Sequence, residues 1–308
     1  MVKLSSLKLV YPPVSSQIVC ALEKECEIVK IWRQSNFYMI GARSKAEFIC
    51  VELLESRLVI KIGRSNNVLI EGIVDVPHLL GQDVLQHNNE FEIEYNADVI
   101  KILDKPLGGE ESTVLAWFTV ESLLWSRWRG RIGIGGFDNY RDLTSFDLLY
   151  VGIAAKTDCY TRLIQNGHKA RTNILSSEDP REPGAKVAEE VFLFLFNVES
   201  LAINIEIPGQ GFQNGGLDSK KECILKDAEK AYVSLLKPGY NTVQFNQYPK
   251  GKDGLYGSHF ARYGYVIGED ISFNTAQGKK IKGKYEYLFN YGGDLIFVEN
   301  DTVEVFHY

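Results

Sequence analysis

Between Tyr150 and Asn241 the chain sets side chains of reactive types at the edges of apolar segments. Tyr150 stands in Leu148-Leu149-Tyr150-Val151-Gly152-Ile153-Ala154, a short apolar run that reads as a strand. A helix signal follows, with Asp158 as candidate N-cap, Arg162 and Leu163 in the next turn, and Gly167 as the stop just before His168. Further on, Asp227 to Leu236 reads as a second capped helix, ended by Lys237-Pro238-Gly239 and followed by Tyr240-Asn241. Its apolar stripe is Ala228, Ala231, Tyr232 and Leu235. Glu229 borders that stripe, so its carboxylate emerges at the rim of the core. Phenol and imidazole groups carry protons, a guanidinium fork clamps an anion, and a carboxylate holds a cation. Each residue also has a plain structural reading. Tyr150 suits a half-buried strand position, and Arg162, four residues after Asp158, suits an intrahelical ion pair. Glu229 in a first helical turn suits the helix dipole, and Asn241 after Pro238-Gly239 suits a turn.

The elements that position these residues belong to an ordinary globular chain. Its 308 residues are enough for about two domains, and 45% hydrophobic with 24% charged residues excludes disorder and fibre. A net charge of −6 excludes a protein that coats nucleic acid non-specifically, though not one with a local basic cleft. Five widely spaced cysteines without a CxxC pair point to reduced thiols and to neither a disulfide framework nor a zinc site. No basic start precedes a long apolar core, and no segment approaches the roughly 20 apolar residues of a membrane span. The expectation is a cytoplasmic protein with no membrane partner.

Residues 1–110 read as a β-rich recognition or dimerisation module. Residues 37–43 and 47–54 are expected to pair as a hairpin, 58–63 and 67–70 as another, and Phe91 to Tyr95 alternates as a half-exposed strand. Only His78 and His87 stand out there as possible chemistry. Leu107-Gly108-Gly109-Glu110-Glu111 reads as the boundary, and residues 111–308 form the second domain. Val114 to Val120 is a buried strand. In Trp125-Ser126-Arg127-Trp128-Arg129-Gly130-Arg131, two tryptophans interleave with three arginines. Arg127, Arg129 and Arg131 can take phosphates while the indoles stack; the other reading is an amphipathic helix with Leu124 and Trp128 toward the core. Gly133-Ile134-Gly135-Gly136 lacks the third glycine of a dinucleotide fingerprint and reads as a turn.

The order Tyr150-Val151-Gly152, Arg162, His168, Glu229, Asn241 resembles the GIY-YIG nuclease superfamily over roughly residues 112–245. In that family two short strands end in Gly-Ile-Tyr and Tyr-Ile-Gly. An arginine follows on a helix, often with a histidine soon after, then a metal-binding glutamate on a later helix and often an asparagine. The resemblance implies an α+β fold with a GIY-YIG-like α/β sandwich carrying extra C-terminal strands. It implies a Mg²⁺-dependent (or Mn²⁺-dependent) endonuclease acting on DNA, as restriction and other defence enzymes of this kind do. Tyr150, Arg162, His168, Glu229 and Asn241 would be catalytic, with Glu229 the metal ligand. The first family tyrosine is expected ten or eleven residues before the second, and no Gly-Ile-Tyr stands there. The candidates for its place are Tyr140, or Trp117 or Phe118 if the Val114 strand comes first. With neither of the last two able to transfer a proton, the alternative is a non-catalytic nucleic-acid-binding or nucleotide-sensing protein that retains the fold.

Within the resemblance each residue has a task. Phosphodiester hydrolysis needs an activated water, charge against the pentavalent transition state, and help for the leaving oxygen. One carboxylate, Glu229, is enough for a Mg²⁺ ion that fills its other positions with water and substrate. Arg162 clamps a phosphate, Tyr150 orients the water, and His168 is the better proton carrier near neutrality. Lys169 and Arg171 follow His168 and can contact phosphate, as can Arg262 together with the basic run Gln277 to Lys284. Val187 to Phe196 is a core element whose Glu189 and Glu190 belong at the surface or supply a second carboxylate. Gly209 to Gly216 reads as a mobile loop able to close over a bound strand. The C-terminal segments read as antiparallel strands, with Asn300-Asp301 as a turn. Cutting both strands with one site per chain would favour a homodimer.

Overall fold

The computed structural model describes residues 2–81, 91–104, 112–203, 221–258, 260, 262–285 and 292–308. The fold is α+β, and the chain divides into two compact units: residues 1–43 with 145–308, and residues 44–144. This differs from the boundary expected near residue 110, because the second unit is inserted into the first. The reason is visible in strand pairing. Ala42, just before the insertion, lies opposite Asp147, just after it, so the chain leaves and re-enters the first unit at neighbouring strand ends.

Seventeen strands occur among the described residues, taken in chain order. The inserted unit holds β4 (Glu47–Leu54), β5 (Arg57–Arg64), β6 (Asn67–Asp75), β7 (Phe91–Tyr95), β8 (Ile100–Asp104), β9 (Val114–Phe118) and β10 (Ile134–Gly136). They form one sheet in the order β10-β6-β5-β4 and another in the order β7-β8-β9. The expected β5–β6 hairpin is present.

The first unit is built on a single ten-stranded sheet. Its strands are β1 (Val2–Leu9), β2 (Val14–Ser15), β3 (Phe37–Ala42), β11 (Ser145–Ile153), β12 (Val191–Ile203), β13 (Arg262–Ile267), β14 (Ser272–Asn274), β15 (Lys280–Lys282), β16 (Leu295–Glu299) and β17 (Thr302–Phe306). The order is β15-β14-β11-β3-β12-β1-β13-β16-β17, with β2 beside β12. The sheet curls so that β15 reaches the residue before β16: Asp294 N donates to Lys282 O at 2.7 Å, and Lys282 N donates to Asp294 Oδ2 at 2.7 Å. The β16–β17 hairpin turns at Asn300-Asp301 as expected.

β3 does not form a hairpin with β4. It runs between β11 and β12, antiparallel to both, and residues 37–40 are wholly buried. Its apolar content fits this central position, since a strand covered on both faces carries no polar alternation. The same holds for Val191 to Phe196 of β12, where Phe194 packs against Phe146 and Phe273 at centroid separations of 4.8 and 4.9 Å. Gly41 belongs to this packing, because a Cβ there would stand 3.2 Å from atoms of Phe146, Phe194 and Phe273. Among the described residues no helix is long and apolar enough to cross a membrane.

Candidate active site

The strand register sets the centre of the site. Tyr38 on β3 lies opposite Gly152 on β11, and Ile40 lies opposite Tyr150, with a bulge between Leu148 and Tyr150. Successive strand residues alternate faces, so Tyr38, Gly152 and Tyr150 share one. A Cβ on Gly152 would stand 2.6 Å from both Cζ and Oη of Tyr38 and 2.8 Å from Cε1 of Tyr150. Glycine is what lets the Tyr38 phenol lie over β11 and stack on Tyr150, with centroids 6.0 Å apart and planes 18° apart. Tyr38 is therefore the tyrosine that stands across from the Tyr150-Val151-Gly152 strand. Tyr140, Trp117 and Phe118 all belong to the inserted unit, where Tyr140 stacks on Trp128 and the other two lie in β9.

Arg162 and His168 converge on the same phenol. Asp158 opens their segment as expected, its Oδ1 accepting from Thr161 N at 2.7 Å, and Gly167 ends it at φ +64°. The turn Thr161–Gln165 is π-helical, with Asn166 N donating to Thr161 O at 3.0 Å, a wide turn found often at functional sites. Arg162 does not pair with Asp158. Its Nε donates to Tyr38 Oη at 3.2 Å, while Asp158 pairs with Arg33 Nη1 at 3.1 Å. Arg33 also donates to Thr161 Oγ1 at 3.0 Å and Gln165 Oε1 at 3.4 Å, and its guanidinium lies over the Tyr160 ring. It braces the whole turn that carries Arg162. His168 Nε2 lies 3.1 Å from Tyr38 Oη, and the imidazole meets the Tyr38 and Tyr150 rings edge-on.

Burial sets the protonation of this cluster. It pushes both phenols up, the negative charge of Glu229 adding to the effect at Tyr150, and so keeps them protonated near neutrality. Burial and then the Arg162 charge hold His168 below its ordinary value, leaving the imidazole neutral and able to accept a proton.

Glu229 enters from the helix Lys221–Leu236. That helix is already formed at Lys221, so Asp227 is not its cap and Glu229 is not in its first turn. Asp227 is instead a buried acceptor for Tyr248 Oη at 2.7 Å, Tyr265 Oη at 2.8 Å and Leu255 N at 2.6 Å. Ala228, Ala231 and Tyr232 form the expected buried stripe, and Glu229 lies beside it. Burial raises its carboxyl to about 7, against the opposing pull of Arg162 and Lys230. Lys230 is itself ion-paired with Asp253. Among the described residues no group of three His, Cys, Asp or Glu side chains is placed to cage a metal. A lone carboxylate of this kind fits a Mg²⁺-type ion, which keeps waters and takes substrate oxygens.

Asn241 is buried and holds the tyrosine strand by its backbone. Its Nδ2 donates to Val151 O at 2.8 Å and its Oδ1 accepts from Val151 N at 2.9 Å, while Tyr240 N donates to Leu149 O at 3.1 Å. The amide completes the ladder of β11 between Tyr150 and Gly152. Asn241 therefore holds the backbone of β11 and does more than shape a turn.

No family model, curated protein or solved structure matches this chain.

The expected substrate-binding residues scatter. Lys169 is exposed at the start of the helix Lys169–Ser177, next to His168. Arg171 is half-buried, and burial lowers its pKa against the opposing pull of the Glu23 carboxylate. Arg262 is ion-paired with Glu299 at 2.6 Å across β13 and β16. Arg127, Arg129 and Arg131 belong to the inserted unit, where Arg127 Nε donates to Gly136 O at 2.6 Å and Arg129 lies over Trp125. His78 is bound to Asp75 at 2.8 Å. Glu190 is not at the surface: it is fully buried, and its Oε2 accepts from Arg181 N at 2.6 Å. His87, the boundary at Leu107 to Glu111 and the loop Gly209 to Gly216 lie outside the described residues, as does residue 259.

Proposed function

We propose that this chain is a metal-dependent endonuclease that hydrolyses phosphodiester bonds in DNA, a cytoplasmic restriction or other defence nuclease of the GIY-YIG kind. The observation that carries the reading is the meeting of Arg162 and His168 on the Tyr38 phenol, with Tyr150 stacked beside it and Glu229 in electrostatic reach. Tyr38 supplies the tyrosine that the resemblance lacks around Tyr140. Tyr38 is wholly buried, so the half-buried Tyr150 meets the attacking water and takes its proton while passing its own through the Tyr38 hydroxyl to the neutral Nε2 of His168, and the relay creates no buried phenolate. Arg162 spends Nε on Tyr38 and presents its terminal nitrogens to the phosphate oxygens. Glu229 would hold the divalent cation. When bound, Mg²⁺ or Mn²⁺ supplies positive charge against the phosphate as the transition state forms.

The test is supercoiled plasmid incubated with the protein and Mg²⁺, with and without chelator, beside Glu229→Ala. Relaxed or linear DNA is expected only from the wild type with free Mg²⁺. Equal nicking by both proteins would remove the metal role of Glu229. DNA bound but never cut would favour a binding protein, and DNA ignored while a nucleotide raises the melting temperature would favour a nucleotide sensor.

A further inference from the structure

The chain's net charge of −6 resides in the inserted unit. Residues 44–144 carry sixteen acidic and ten basic side chains, and the rest of the chain carries twenty-four of each. The β4–β5 turn concentrates both this charge and apolar surface. Glu52-Leu53-Leu54-Glu55 ends the edge strand β4, and Leu53 and Leu54 are 45% and 57% exposed. Glu55 takes φ +58° as the first residue of the two-residue turn between β4 and β5. Arg57 is paired with Asp75, and among the described residues neither Glu52 nor Glu55 has an ion-pair partner. Two exposed leucines flanked by two glutamates that make no ion pair among the described residues are a surface suited to a partner with an apolar seat and a positive edge.

The first unit has such a seat. A groove of about 460 Å³ opens where the end of the helix Lys221–Leu236 meets β15, β16 and β17. Leu236, Ile281 and Ile296 are buried in its lining, and Lys279, Lys280 and Lys282 stand exposed along it. Lys279 Nζ donates to Leu235 O at 2.7 Å, and among the described residues Lys280 and Lys282 make no ion pair. The carboxylate in the lining, Asp294, is buried. Its oxygens accept from Lys282 N, from Tyr308 N, and from His307 Nδ1 at 3.2 Å, and its single negative charge is outnumbered by the three lysines of the lining.

We propose that the Glu52-Leu53-Leu54-Glu55 turn of one copy docks in this lysine-edged groove of a second copy, Leu54 on its floor and the glutamates against Lys280 and Lys282. The two patches differ, so a closed dimer makes the contact twice, and a single head-to-tail contact would build longer assemblies. The contact is independent of the cleavage chemistry.

Sedimentation velocity across a range of protein concentrations reads it directly. Wild type is expected to associate, with Leu53→Ala/Leu54→Ala and Lys280→Glu/Lys282→Glu each weakening association at least about tenfold. Combining Lys280→Glu/Lys282→Glu with Glu52→Lys/Glu55→Lys on one chain is expected to restore it. All substitutions are on exposed residues, and circular dichroism verifies the fold. Larger assemblies sensitive to the same changes would support the contact in its head-to-tail form. A monomer at every concentration, or association that ignores both sets of changes, would overturn the proposal.

Discussion

Tyr38 and Gly152 face each other across β3 and β11, and the Tyr38 phenol occupies the space a Gly152 side chain would need. Gly152→Ala places a Cβ 2.6 Å from the phenol, inside contact distance for a buried ring with no free side. The expected cost is about 1–3 kcal/mol of overpacking. DNA cleavage is expected to fall with it, because the Tyr38 oxygen must leave Arg162 and His168. Urea denaturation and plasmid nicking measure the two effects, and wild-type behaviour in both would show that the rings do not depend on this glycine.

Glu229 makes stability depend on pH in cation-free buffer. Burial raises its carboxyl from 4.5 to about 7. Between those values the folded protein keeps a proton that the unfolded chain has released, so stability is fully present below the lower value and declines as pH rises through the upper one. Glu229→Gln escapes the decline and is expected to exceed the wild type above neutrality by roughly 2–3 kcal/mol. Urea midpoints taken at a series of pH values check it. A constant difference between the two proteins would show that the carboxyl titrates normally.

Asn241→Ala leaves the buried Val151 N–H and C=O without partners. A loss of about 1–3 kcal/mol for each group is expected, less where water enters. Hydrogen exchange at Val151 is the sensitive measure: faster exchange there, with β12 unchanged, is the expected pattern. Unaltered protection would mean that the amide does not hold the strand.

Arg33→Ala releases Asp158, Thr161 and Gln165 together. These contacts are largely exposed, so stability is expected to change by less than about 1 kcal/mol. Catalysis is expected to drop about 10- to 100-fold in kcat through a displaced Arg162, with DNA affinity retained. A loss confined to KM would assign Arg33 to DNA binding and remove its bracing role.

Local signals made much of this legible from residue types alone. Asp158 and Gly167 bound their segment, the stripe Ala228, Ala231 and Tyr232 is buried, and two hairpins form where alternation and turn residues place them. These depend on neighbours a few residues apart. Tyr38 does not. It meets Tyr150 only because residues 44–144 are inserted between two paired strands, and a search close to Tyr150 in sequence finds Tyr140, which serves the inserted unit. A usable signal is present in Phe37-Tyr38-Met39-Ile40-Gly41, an apolar run with a tyrosine and a glycine, but only pairing shows its meaning. Asp227 misleads for a similar reason: an acid before an apolar stripe looks like a cap until donors from Tyr248, Leu255 and Tyr265 arrive from far along the chain.

Single-turnover plasmid cleavage by Tyr38→Phe, in Mg²⁺ and with DNA binding measured in parallel, tests the central claim most directly. The substitution keeps the ring over Gly152 and removes only the hydroxyl that Arg162 and His168 share. Cleavage is expected to fall about 10²- to 10⁴-fold while binding is unchanged. Cleavage at the wild-type rate would contradict the assignment of Tyr38 to the catalytic centre.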